Sequence, residues 1–160
     1  MATTQSHRSA VTTTFAGVLA VLLACAVILI LGLLARPSGG LTVPKGSRVV
    51  HVDEHDFGIH VSATTLTAGN YVFVDHNHGP SSHELVMWKT DLGATQLPRG
   101  ADGRVNEDSP KLDSVLDSGS SLNPGEVRLL TTSLDPGHYV MVCNLPGHYN
   151  AGMRVDITVK

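Results

Sequence analysis

Residues 126–159, EVRLLTTSLDPGHYVMVCNLPGHYNAGMRVDITV, carry the reading that decides the fold. Three apolar runs, at 126–133, 138–143 and 152–159, are each too short for a stable helix and rich in Val, Ile, Leu, Thr and Tyr, so they read as strands. Asp135-Pro136-Gly137 separates the first two, with Pro pre-setting φ and Gly free to take a positive φ, as a tight turn requires. Working outward, the same short-run pattern returns at Val49, Val50 and Val52, at Phe57, Ile59 and Val61, at residues 71–74 and at 83–89, HELVMWK. Turns are expected at Ala68-Gly69-Asn70, His78-Gly79-Pro80 and Asn123-Pro124-Gly125. Seven or eight short strands without a long helical period predict an all-β domain of two packed sheets, a Greek-key sandwich. Residues 90–122, rich in Asp, Gly and Ser, break the pattern. A structureless connection of that length is uncommon, and a helical turn or two is expected around Ser109 to Leu116.

The chain divides into a short tail at 1–14, an apolar segment at 15–35, a Gly- and Pro-containing tether at 36–46 and the domain proper at 47–160. From Phe15 to Ala35 there are 21 consecutive residues with no charge, enough for one transmembrane helix. The expectation is an uncleaved anchor. A cleaved signal peptide and, through Leu22-Leu23-Ala24-Cys25, a lipidation signal are the alternatives. Arg36, Lys45 and Arg48 follow the span whereas only Arg8 precedes it, so the positive-inside count favours a cytoplasmic domain.

Beyond residue 40 there are 9 Lys/Arg and 14 Asp/Glu, a formal net charge of −5. That balance argues against nucleic acid as a partner and favours a basic protein surface. Asp53, Glu54 and Asp56 read as a solvated acidic surface, and Phe73, Trp88 and Tyr139 as core residues. Cys143 has no disulfide partner, because Cys25, the other cysteine, lies inside the apolar run.

The chemistry concentrates in Cys143-Asn144-Leu145-Pro146-Gly147-His148-Tyr149-Asn150-Ala151-Gly152-Met153. A thiolate, an imidazole and a thioether, with four residues between each, sit on the turn between two predicted strands. Soft sulfur donors combined with imidazole select copper over hard cations and fit a His2Cys plane with a weak axial Met. A second His is then needed, and His83, opening the 83–89 strand, is the best candidate. A Cys143/His148 catalytic dyad would leave His83 and Met153 unused. A binuclear copper centre needs two bridging cysteines where this domain has one. The extracytoplasmic side is expected for the domain despite the positive-inside count, because copper on an unpaired reactive thiolate is more readily explained outside the cytoplasm. The other domain histidines, His51, His55, His60, His76, His78 and His138, read as exposed surface residues, with a weaker metal-loading site at His51, His55 or His76/His78 as the alternative.

These motifs, with DFGIHVSATTLTAGNYVFVDHNHG and SSHELVM, make residues 45–160 resemble the cupredoxins, the type 1 blue copper proteins. The Cys-to-Met loop is similar to the rusticyanin and sulfocyanin type. The resemblance implies a cupredoxin-like sandwich holding one copper through His83, Cys143, His148 and Met153. It implies one-electron transfer, no enzymatic activity or small-molecule substrate, and a redox protein partner such as a cytochrome or a terminal oxidase. A copper carrier and a copper subunit of a membrane oxidase are the alternative functions. Glu84 stands where many family members have Asn or Ser, and an ionised carboxylate there can only accept hydrogen bonds. The expected surface for electron exchange is the edge of His148, flanked by Leu145, Pro146, Gly147 and Tyr149.

Overall fold

The computed structural model describes residues 42–160. The expected tail, the apolar span and the start of the tether lie outside the described residues. Among the described residues no helix is long and apolar enough to cross a membrane.

Among the described residues nine strands form two sheets: β1 Arg48–His55, β2 Gly58–Val61, β3 Thr65–Leu66, β4 Gly69–Asn77, β5 Leu85–Lys89, β6 Asp113–Asp117, β7 Val127–Leu134, β8 Gly137–Cys143 and β9 Arg154–Val159. A single helical turn, α1 His148–Ala151, lies between β8 and β9. The first sheet has the order β2-β1-β4-β7 and the second β3-β9-β8-β5-β6. Consecutive strands repeatedly change sheet, as in a Greek-key sandwich. The architecture is the expected cupredoxin-like β-sandwich, with nine strands rather than seven or eight. The two-residue β3, pairing in parallel with β9, is too short to leave a periodic signal.

Between the sheets lie Val50, Val52, Tyr71, Phe73, Leu85, Met87, Leu116, Leu134, Tyr139, Met141 and Ile157. The strands β5 and β8 are apolar at nearly every position, LVMW and YVMVC, and both of their faces are covered. Val86, Trp88, Val140 and Val142 point away from the sandwich interior into a second cluster with Ala94, Leu97, Val105, Leu112 and Tyr149. Residues 90–112 are therefore a cover over the outer face of the second sheet. Burying a side chain of that size contributes about 1.5–3 kcal/mol, enough to hold a long connection in place.

No helix forms at Ser109 to Leu116. Residues 113–117 are the strand β6, paired antiparallel with β5 across a register shift at Met87/Trp88. Without β6 the edge of β5 would leave backbone donors and acceptors unpaired, and that pairing overrides any local helical preference.

The reading of Glu54 as solvated is also overturned. Alternation along β1 places Glu54 on the same face as Val50 and Val52, and it is completely buried. Asp75 on β4 is equally buried and accepts a hydrogen bond from Arg128 Nε at 2.8 Å. Burial, reinforced by the neighbouring Asp75 carboxylate and opposed by Arg128, pushes the Glu54 carboxyl up to about 9. Glu54 is thus protonated at neutral pH, where the unfolded chain would have released that proton. Stability is lost as pH rises between the ordinary carboxylate range and about 9, by on the order of 1 kcal/mol per pH unit. In the metal-free protein, Glu54→Gln keeps the shape without the titrating proton and is expected to make the decline in melting temperature between pH 5 and pH 8 shallower, the rest belonging to Asp75 and Glu84, which burial also shifts upward. An unchanged slope would show that Glu54 is ionised in the fold.

Candidate metal centre

The site is assembled by the register of two strands. β5 and β8 run antiparallel with Leu85 opposite Cys143. On β8 the side chains of Tyr139 and Met141 face the sandwich interior, so Cys143, two residues on, also points inward at its end. On the opposing segment Met87 and Leu85 face inward, and His83 continues that face just before β5 begins. His83 is fixed by a bridge to Leu122, whose carbonyl accepts from the His83 N–H at 3.1 Å and whose N–H donates back at 2.7 Å. Sixty residues of sequence separation thereby collapse to contact.

Three of the four expected ligands converge. Nδ1 of His83 and Nδ1 of His148 are 3.2 Å apart, and Cys143 Sγ lies 3.4 Å from the His148 atom and 3.9 Å from the His83 atom. Cys143 and His83 are completely buried, and His148 is half-buried. Three lone-pair donors this close repel unless a proton or cation lies among them. A point in their plane is about 2 Å from each, the bond length of a first-row metal to nitrogen. The donor set and its spacing match a mononuclear copper site, one per chain. Met153, the fourth expected ligand, is completely buried. Its N–H donates to the His148 carbonyl and its carbonyl accepts from the Cys143 N–H, both at 3.1 Å. Gly152, at φ +127°, makes the turn that returns the chain to this position.

The groups around the donors prepare them for a cation. Burial pushes the Cys143 thiol up to about 11, so at neutral pH it is a thiol that must lose its proton to a metal. The Glu84 N–H donates to the sulfur at 3.3 Å. The tie at this position is therefore made by the backbone, and the exchange of Asn or Ser for Glu leaves it intact. Burial lowers the His83 pKa, with the Asp56 carboxylate opposing the shift, which favours a neutral imidazole. His83 Nε2 lies 3.0 Å from Asp56 Oδ1, so the proton of that ring belongs on Nε2 and Nδ1 is left as the donor. Ser81 anchors the carboxylate in turn, its Oγ donating to Asp56 Oδ2 at 2.6 Å. Gly79 permits this arrangement, because a Cβ there would stand 2.6 Å from Asp56 Oδ1 and 2.7 Å from His83 Nε2. Sequence reading missed Asp56 as a site residue and took it for surface. Only the closeness of Asp56 to His83 across the fold discloses it.

The 90–112 cover also clamps the ligand loop. Asn144 is buried, accepts from the Val105 N–H at 2.7 Å and donates to the Val105 carbonyl at 3.2 Å. Tyr149 OH donates to the Ala94 carbonyl at 2.7 Å, and Arg99 donates to Asn150 at 3.0 Å. Tyr149 is thus an inward anchor and not part of the rim expected around His148. Its place is taken by Phe57, 50% exposed, whose ring meets His148 edge to face at 5.2 Å. Pro146 and Gly147 are exposed beside it.

No protein-family model matches this chain, and no curated protein does. Solved structures share its fold. The dithionite-reduced auracyanin of Roseiflexus castenholzii superposes with a TM-score of 0.51 at 20% identity, over 72% of this chain and 99% of that one. Auracyanin B gives 0.50 at 24% identity, over 76% and 96%. Auracyanin A of Chloroflexus aurantiacus, described as a blue copper protein, gives 0.51 at 17% identity, over 72% and 100%. At these identities the likeness concerns the fold.

The Asp56–His83 contact generates a test. Asp56→Asn removes the charge that orients His83 while keeping the shape, and is expected to weaken metal binding about 10- to 100-fold with the fold intact. Competition against a chelator measures it. Undiminished affinity would show that Asp56 does not support the ligand.

Proposed function

We propose that this chain is a one-electron carrier whose type 1 copper ion would be held by His83, Cys143, His148 and Met153. The observation that carries the reading is the triangle of Sγ and two Nδ1 atoms, within 3.9 Å of one another. Copper bound there would supply the Cu(I)/Cu(II) couple.

The protein's own contribution is rigidity and exclusion of water. Cys143 ends a strand whose neighbours are bonded on both sides, His83 is bridged to Leu122, and His148 opens a turn pinned through Tyr149 and Asn144. Ligands held this firmly leave little to rearrange when the charge at the site changes by one. His148, half-buried beside exposed Phe57, Pro146 and Gly147, offers an exit at the surface while the sulfur stays sealed. Complete burial of His83, Cys143 and Met153 favours a carrier that keeps its metal over a chaperone that exchanges it. The same burial suits an electron carrier better than an enzyme, which needs an open position for substrate.

The reading extends to an anchor at 15–35, supported by the uncharged 21-residue run, and to a domain on the extracytoplasmic side, where copper on an unpaired thiolate is more readily explained than in the cytoplasm, against the Arg/Lys count. Protease added to intact cells should then cleave the domain, and full protection would place it inside. The net charge of −5 beyond residue 40 suits a basic redox partner, such as a cytochrome or an oxidase subunit, with exchange that slows as salt rises.

Met153 separates a tuned copper site from a generic soft-metal site. Met153→Leu leaves three strong donors and is expected to retain one copper with a higher reduction potential, because the thioether no longer favours Cu(II). Met153→Gln should lower the potential. No shift in either variant would show that Met153 is not a ligand, and loss of copper from the Leu variant would exclude the three-plus-one arrangement.

A further inference from the structure

A second group of metal-ligating side chains lies on the outward face of the first sheet and shares no residue with the centre described above. β1 and β4 are parallel neighbours with Asp53 beside His76, so the two side chains share a face. His78, two residues beyond His76, lies on the same side. One ligand atom from each of Asp53, His76 and His78 falls within 4.8 Å of the other two. His78 Nε2 is 2.8 Å from Asp53 Oδ1, and the His76 and His78 ring centroids are 3.7 Å apart. His55 also stacks on His78, with ring centroids 5.0 Å apart and the rings 13° from parallel.

We propose that Asp53, His76 and His78 form a second, solvent-facing site for a borderline divalent cation such as Zn(II) or Cu(II). Two imidazoles and a carboxylate without a thiolate suit these ions. The 2.8 Å separation of His78 Nε2 and Asp53 Oδ1 is a hydrogen-bond distance and also the spacing of two ligands about 2 Å from one ion at a right angle, as in the tetragonal geometry of Cu(II). An aspartate–histidine pair at the surface needs no metal by itself. Here a third donor joins the pair, and two rings that would repel as imidazolium ions are held against each other. The backbone beneath is already ordered, the His78 N–H donating to the Glu54 carbonyl at 2.8 Å and the Asn77 N–H to the Glu126 carbonyl at 3.1 Å. His78 and Asp53 are a little over one third exposed, which leaves room for water to complete the coordination. Three protein ligands in an open setting make this a site that loads and releases its ion, unlike the sealed Cys143 centre.

The test titrates Zn(II) calorimetrically into the full-length parent, Cys143→Ser, and the double variant His76→Gln/His78→Gln. Cys143→Ser disables the first centre, so the binding event that survives there reports the second site whether or not the copper reading holds. The expected result is one saturable event in Cys143→Ser. Adding His76→Gln and His78→Gln to that background should weaken it at least tenfold, whereas adding His138→Gln, a histidine on β8 of the second sheet, should leave it unchanged. Imidazole nitrogen resonances of His76 and His78 should shift with the same saturation, and an unchanged melting temperature would show that the substitutions leave the fold intact. No saturable event in Cys143→Ser, or an event that persists at full affinity without His76 and His78, would overturn the proposal.

Discussion

The antiparallel register that sets Leu85 opposite Cys143 is the constraint on which the rest of this molecule depends. It places the sulfur at the end of β8 beside the segment that carries His83, and it aims the Glu84 N–H at that sulfur. A slip of one residue would turn every side chain of one strand to the opposite face, sending Cys143 outward and Val142 inward. Because β5 and β8 are apolar on both faces, the register is held by the fit of particular side chains, Met87 and Met141 inside the sandwich and Trp88 and Val140 under the cover, which a slip would exchange for ones of different size. Removing the cover would expose Trp88, and a Trp→Ala truncation at such a site costs about 3–5 kcal/mol. The cover and the register are therefore one structural problem, solved together.

The same cover reaches the ligand loop through Asn144, Tyr149 and Asn150, so packing energy is converted into ligand position. Each of these contacts is modest, about 0.5–1.5 kcal/mol for a typical hydrogen bond. Their value lies in number and placement, since together they leave the segment between Cys143 and Met153 little freedom. Around it the interior grows polar. Along the inner faces of β1 and β4, Val50 and Val52 give way to Glu54, and Tyr71 and Phe73 to Asp75 and Asn77. A protonated Glu54 limits the buried negative charge near the thiolate, whose own ionisation Glu54 and Glu84 would oppose if charged.

Much of this was legible in the sequence for identifiable reasons. Strands with β-branched and aromatic runs between Pro-Gly turns could be placed within a few residues, as at β7, β8 and β9. Cys143, His148 and Met153 could be grouped because they lie in one short loop, and His83 because a copper plane needs a second imidazole. What escaped depended on contacts between distant segments. Asp56 supports His83 only once the 77–83 connection folds back on it, and Gly79 is needed only because of that approach. Glu54 carried a readable signal, the alternation Val50, Val52, Glu54, which a preference for solvated carboxylates outweighed. The cover could not be read from residues 90–112 themselves, whose composition is loop-like. It was implied by the unbroken apolar runs of β5 and β8, which no single-faced sheet would tolerate.

The account stands on Cys143 as a copper thiolate flanked by His83 and His148. The most direct measurement is the visible absorption of the purified chain titrated with Cu(II). An intense colour that saturates at one copper per chain, bleaches on one-electron reduction and is absent from Cys143→Ser is the predicted result. A chain that stays colourless with one equivalent of copper bound, or that takes Zn(II) in a one-to-one complex and refuses copper, would contradict it.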